Sequence, residues 1–234
     1  MENNRLREKL VEELSAYYSK VGVNPYDFHC PHCPNNCPGD LARGMECHIG
    51  LKYGLKKKIL VSSMDSGGGG SENIKGRTES VYKDHSNPHM RGTLDCVKLL
   101  LDLGSREEAI DYMAMTNACK CCKKESTNHL PKKYYEHCKE YKIAEYHFLN
   151  PDVIIFQGER DLSLRGVEQY LKPTSLEHLY IYEDGIIKCY GIECIHPSAR
   201  GKHAKRVKEF YERLFPRIVD YIKEQWEKES LERG

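Results

Sequence analysis

Two short apolar runs constrain this chain more than any other feature: Ile59-Leu60-Val61 behind three lysines, and Val153-Ile154-Ile155-Phe156 behind Asn-Pro-Asp. Short apolar runs bounded by polar residues read as strands buried on both faces, which occur in parallel sheets covered by helices. Met113 to Asn117 is a candidate strand between them, and LEHLYIYEDGIIKCYGIEC reads as a hairpin turning at Asp184-Gly185. Helical spacing appears at Leu6, Leu10, Val11, Leu14 and Tyr17, and again at Leu94, Val97, Leu100 and Leu101. Ser105, with Glu108 three residues on, marks a capped helix start, and LPKKYYEHCKEYKIAEYHFL reads as a helix opening at Pro131. A helix through Tyr170 follows the Val153 strand, and residues 201–228 form a long charged helix with Val207, Phe210, Leu214, Ile218, Tyr221 and Ile222 on one face.

Strands alternating with helices predict an α/β fold, a three-layer α/β/α sandwich around a mainly parallel central sheet. At 234 residues the chain suits one domain, with an N-terminal helix and a cysteine-rich loop over about 26–50. The stretch from Ser62 to Pro88 reads as a long, polar, irregular loop, the kind that carries function.

The 36 basic and 35 acidic residues nearly cancel, so any attraction to a polyanion has to come from local clusters such as Lys56–Lys58 or Arg200 to Arg206. No run approaches the ~18 apolar residues of a membrane span, and MENNRLREKLVEEL lacks a signal-peptide core. A cytoplasmic protein without a membrane partner is the expectation. There, thiols stay reduced, so 11 cysteines point to metal rather than disulfides.

The cysteines fall into two groups. Cys30-x2-Cys33 has the spacing that presents two soft sulfur ligands from one turn, with Cys37 and Cys47 close behind; Cys119, Cys121, Cys122 and Cys138 form the second group. Either four N-terminal thiols make a closed zinc site, or two of them join two from the second group. Cys96, Cys189 and Cys194 sit within apolar patterns and read as ordinary buried thiols.

Taken in order, ILVSSMDSGGGG, NPHMRGTLDCVKLLLDLG, TNACKC, a cysteine-bearing helix, NPDVIIFQG and IHPS resemble the iron-sulfur uracil-DNA glycosylases and their superfamily over about residues 30–215. The resemblance implies the corresponding fold, DNA as partner, a monomer and a structural [4Fe-4S] cluster, with zinc as the alternative. The family's ligands map onto Cys30, Cys33, Cys121 and Cys138, with Cys37 and Cys47 as rivals for the first two. Asn117, from the Thr-Asn stretch, would hydrogen-bond the flipped base, since an amide both donates and accepts along a pyrimidine edge. His89 stands where the family stacks a phenyl ring on the base, in a motif one residue longer here. His196, in His-Pro-Ser, would stabilise the negative charge on the departing base. Ser198, Arg200 and Lys202 would contact DNA.

The first motif departs from the family's. Where active members carry Gly-Glu-x-Pro-Gly or a relative, this chain has Ser62-Ser63-Met64-Asp65-Ser66-Gly67, with Ser63 at the position of the acid. Ser63, Met64 and Ser66 are therefore candidates for lining the pocket, and Asp65 for positioning water. The glycine run that follows lacks the Lys-Ser/Thr of a nucleotide loop. The altered motif keeps a second expectation open, a member that binds nucleic acid or a modified base without cleaving it.

Overall fold

The computed structural model describes residues 2–26, 28, 30, 44–64, 72–121, 132–158, 160–197, 199 and 203–233. Its centre is a seven-stranded sheet of order β1-β3-β2-β4-β7-β6-β5, formed by His48–Ile49, Ile59–Ser63, Met113–Asn117, Val153–Gln157, Leu171–Pro173, Leu179–Glu183 and Lys188–Cys194 as β1 to β7. The four middle strands β3, β2, β4 and β7 run parallel, while β1 and the β5–β6 pair extend the sheet antiparallel at its two sides.

The alternation along each strand makes the three layers. Ile59 and Val61 of β2, Met113 and Met115 of β3, and Val153 and Ile155 of β4 face one core, whereas Leu60, Ala114, Ile154 and Phe156 face the other. The first core is covered by α3 (Pro88–Leu101), α4 (Arg106–Tyr112) and α9 (Phe215–Arg233), the second by α1 (Glu2–Val21) and α6 (Lys139–Leu149). Each fully buried Val, Leu, Ile or Phe contributes about 1.5–3 kcal/mol, so both faces are required to hold the sheet. The expected α/β/α sandwich is thus present, with its parallel part confined to the four central strands.

Four local readings are corrected. Within Ser62–Pro88 lies α2 (Ile74–Asp84), capped by Asn73, whose side chain accepts the Gly76 N–H at 2.9 Å. With only Ile74 and Val81 fully buried, its apolar stripe is too thin to show in the sequence. The helix after Pro131 is two helices, α5 (Lys132–His137) and α6, broken at Cys138. The helix expected through Tyr170 is reduced to α7 (Arg160–Ser163) and a 3₁₀ turn at Glu168–Tyr170. The C-terminal helix is α8 (Ala204–Glu209) and α9 joined by a π-turn over Phe210–Leu214. At α4, Ser105 caps as expected, accepting the Glu108 N–H, but the Glu108 carboxylate reaches the Gly104 N–H.

Among the described residues no helix is long and apolar enough to cross a membrane.

Candidate functional site

Beyond the last residue of β3 the chain keeps its pairing with β2: the Ala118 N–H donates to Ser63 O at 2.6 Å and the Cys119 N–H to Met64 O at 2.9 Å. This carries Cys119 and Cys121 under the break between α5 and α6, where Cys138 waits. The sulfurs of Cys119, Cys121 and Cys138 all lie within 4.8 Å of one another, fully buried, an arrangement able to hold a metal ion. Cys119 and Cys138 are 3.8 Å apart.

The environment favours thiolate at one of the three. Hydrogen bonds from Cys119 and Cys121 pull Cys138 well below the usual thiol range against the effect of burial, and the Lys120 N–H, 3.4 Å from its sulfur, adds to this. Cys119 moves the other way, raised by burial. Cys30 is buried with its sulfur 3.9 Å from the Tyr141 hydroxyl, and Tyr141 lies one turn beyond Cys138 on α6, with both thiols acting on it electrostatically. Cys30, at the start of the N-terminal cysteine segment, is thus placed near the second group through Tyr141, but its sulfur is not among the three that lie within 4.8 Å of one another. A bridge between Gly44 and Cys121, with the Met45 N–H donating to Lys120 O at 3.0 Å, fastens the other end of that segment.

Cys121 and Cys138 are brought together as the sequence suggested, and Cys119 joins them. Cys47 stands outside this group; burial pushes its thiol up to about 12. Cys33 and Cys37 lie outside the described residues. Cys96, Cys189 and Cys194 are buried within the cores.

A buried ion pair pins the thiol loop. The Lys120 ammonium donates to Glu145 of α6 at 2.6 Å and to Thr116 Oγ1 at 2.7 Å, with neither charged side chain exposed. The Thr116 and Tyr18 hydroxyls donate to the same carboxylate, and Tyr18 accepts the Cys47 N–H at 3.2 Å. A buried charge pair of this kind is tolerated because three donors, Lys120, Thr116 and Tyr18, meet the Glu145 carboxylate.

Two residues before Cys119, the parallel strands end in a row of polar groups. Ser63 is in register with Asn117 on one side and Gln157 on the other, and Gln157 with Cys194, two residues before His196. Ligand sites in such sheets form at the carboxyl ends of the strands, where the chain order reverses, here at β2 between β3 and β4. Asn117 and the end of β7 are three strand spacings apart, about 14 Å.

Above the row sits the first turn of α3. Asn87 caps it, and Thr93 donates to His89 O at 2.9 Å while accepting from Gln157 Nε2 at 2.9 Å. His89 and His196 stack, ring centroids 4.7 Å apart. Burial first, then the neighbouring His196 and Arg77, push His89 down to about 4, so its ring is neutral at physiological pH. Gly92 makes the approach feasible: a Cβ there would stand 2.3 Å from Pro197 Cβ. Gly158, at φ +133°, likewise leaves room for the Met64 side chain.

Two buried polar atoms at this edge have no hydrogen-bond partner among the described residues, Asn117 Oδ1 and His89 Nδ1. Leaving such an atom unsatisfied costs about 1–3 kcal/mol, and native proteins rarely accept it without a ligand or water to fill the place.

Ser63 ends β2 and Met64 follows it, both buried. Asp65, Ser66, Ser198, Arg200 and Lys202 lie outside the described residues. Three groups escaped the sequence reading. Gln157 and Thr93 are buried at the edge, and Arg77 of α2 presents Nη2 3.9 Å from Met115 Sδ with a field that reaches His89. Gln157 was detectable as the last polar residue of a buried strand before glycine; Arg77 required the unseen helix.

Fold and site together define an α/β/α sandwich protein with a buried thiol site next to a row of polar groups at the carboxyl ends of its parallel strands. The chain matches no protein family model and no curated protein.

Proposed function

We propose that this protein is a DNA glycosylase that flips a damaged base, most simply uracil, and hydrolyses its N-glycosidic bond. The observation that carries the reading is Asn117 Oδ1, buried and unpartnered at the end of β3, at the same sheet edge as the stacked His89–His196 pair. An amide oxygen without a partner among the described residues suits a base edge that brings its own donor, and a neutral imidazole at the same sheet edge suits stacking on the base. In this reading Asn117 reads the base and His89 stacks on it. His196 stabilises the charge gathering on the pyrimidine oxygen as the bond to the sugar breaks, and Asp65 orients the water that completes the sugar.

The thiols support the same reading. Cys121 and Cys138, joined by Cys30 and Cys33, would hold a [4Fe-4S] cluster, whose part is to tie the N-terminal segment to the loop after Asn117. A zinc ion is favoured by one distance: sulfurs about 2.3 Å from a tetrahedral zinc stand roughly 3.8 Å apart, the Cys119–Cys138 separation. A protein that binds a modified base without cleaving it is favoured by Ser63, which replaces the acid and whose hydroxyl points to Gln157 Oε1 at 3.4 Å.

A fluorescent oligonucleotide with a single uracil tests the proposal. Alkali-labile scission that disappears in His196→Ala is the expected result; tight binding without any abasic product assigns the protein to the non-cleaving reading. A brown, anaerobically purified sample absorbing near ~400 nm indicates the cluster, and a colourless one with bound zinc overturns it.

A further inference from the structure

A cavity of about 600 Å³ lies between the C-terminal helices and the residues that flank the start of β6 and the end of β7, Glu177, His178 and Ile195. Ile195, the residue before His196, forms part of its wall, so it opens beside the candidate site. The Tyr211 hydroxyl donates to Ile195 O, and Phe210 packs edge-on against His178 at 5.3 Å, so the floor is rigid.

Three arginines of the C-terminal helices line it, Arg206, Arg213 and Arg217. They are exposed, and among the described residues none of them makes an ion pair or hydrogen bond. Two carboxylates also border the cavity, Glu177 and Glu209. Glu177 lies 3.6 Å from His178 Nε2 and Glu193 3.7 Å from Nδ1 of the same ring, both longer than a hydrogen bond, and among the described residues neither carboxylate pairs with the three arginines, which leaves the guanidinium groups to any anion that enters.

Spacing selects the kind of anion. Eleven residues of helix at 1.5 Å each spread Arg206 to Arg217 over about 16 Å, with Arg213 in between. A spread of this length suits a chain of phosphates better than a single one, and guanidinium forks suit phosphate oxygens. The π-turn at Phe210–Leu214 lies within this stretch, and such turns commonly mark functional sites.

We propose that this groove seats the phosphodiester backbone of a nucleic-acid strand as it passes the end of β7, with Arg206, Arg213 and Arg217 as its phosphate contacts. The proposal rests on the reading of the neighbouring edge as a base-excision site, and it explains how a chain of almost balanced charge holds a polyanion.

The test is fluorescence anisotropy of an undamaged, fluorescein-labelled duplex, with the whole chain, over a range of salt. Wild-type protein is expected to bind with a linear dependence of log affinity on log salt. Arg213→Gln with Arg217→Gln should weaken binding about tenfold or more at low salt and make the slope shallower by roughly two, one for each lost contact. Arg213→Lys with Arg217→Lys should restore most of the slope. Unchanged affinity and slope in the Gln variant, with circular dichroism showing it folded, overturns the proposal. So does wild-type protein that binds pyrophosphate in these arginines' place but no DNA. Uracil release separates the two readings: arginine-dependent binding without release retains the groove and sinks the glycosylase, and release with arginine-independent affinity does the reverse.

Discussion

His89 and His196 lie ring on ring, 4.7 Å between centroids and 25° between planes, although 107 residues separate them in the chain. One comes from the first turn of α3, the other from the loop after β7, and Gly92 against Pro197 sets their distance. They stand at the same sheet edge as Asn117, at the end of β3.

If that edge acts on a flipped base, its members divide into reading and chemistry. Asn117→Ala should slow uracil release by roughly 10–100-fold, the worth of one or two hydrogen bonds to a buried base edge. His196→Ala should cost roughly 10²–10³-fold in single-turnover rate. Equal, small losses for both variants would count against the assignment.

Gly92 gives a geometric prediction. Gly92→Ala places a methyl 2.3 Å from Pro197 and pushes the His196 loop off α3, so release should fall sharply while stability drops by about 1–3 kcal/mol. Gly104→Ala, where the nearest atom is 3.7 Å away, is the control expected to leave release unchanged. Urea unfolding and single-turnover kinetics on both variants decide it.

The Lys120–Glu145 pair should behave as a buried charge pair. Lys120→Met leaves the Glu145 carboxylate uncompensated and should destabilise by about 3–5 kcal/mol, while Lys120→Met with Glu145→Leu should recover much of that loss. Because Lys120 stands between Cys119 and Cys121, metal content measured by elemental analysis should fall in the single variant. A single variant as stable as the wild type would show that the pair is not buried in solution.

The thiol site predicts its own ligands. Cys138→Ser and Cys121→Ser should purify with less metal under either reading, Cys119→Ser only where the metal is zinc, and Cys96→Ser and Cys189→Ser with an unchanged amount. Loss of metal in Cys47→Ser with retention in Cys119→Ser would exchange their roles.

Stability should depend on pH through His48. Burial holds it down to about 4, opposed by its hydrogen bond to Ile110 O and reinforced by Arg77 and Arg7, whereas an unfolded histidine titrates near 6.5. Between those values the unfolded chain binds the proton and the folded one does not, so stability is present above pH ~6.5 and is lost as pH falls toward 4. In urea titrations at pH 7.5, 6 and 5, His48→Gln should show a flatter decline than the wild type; parallel declines would refute this.

Much of this was legible in the sequence. Ile59–Val61 and Val153–Phe156 announced themselves as strands because a strand buried on both faces leaves an unbroken apolar run, and Asp184-Gly185 announced a hairpin because its turn needs a residue at positive φ. The helix over Ile74–Asp84 was hidden, since a helix packed by two fully buried residues lacks periodicity.

By itself the sequence determined the α/β layering, the chemistry available at the strand ends, and two pools of thiols, because these depend on local pattern and composition. Only the tertiary structure decided which thiols meet, that Cys119 joins Cys121 and Cys138 while Cys47 stands apart against Tyr18, that Gln157 and Thr93 meet at the strand ends, and that the charge of Arg77 acts on His89. The reason is physical: strand periodicity acts over a few residues, but the separation of two sulfurs or two rings is set by the packing of segments whose spacing along the chain says nothing of their distance in space.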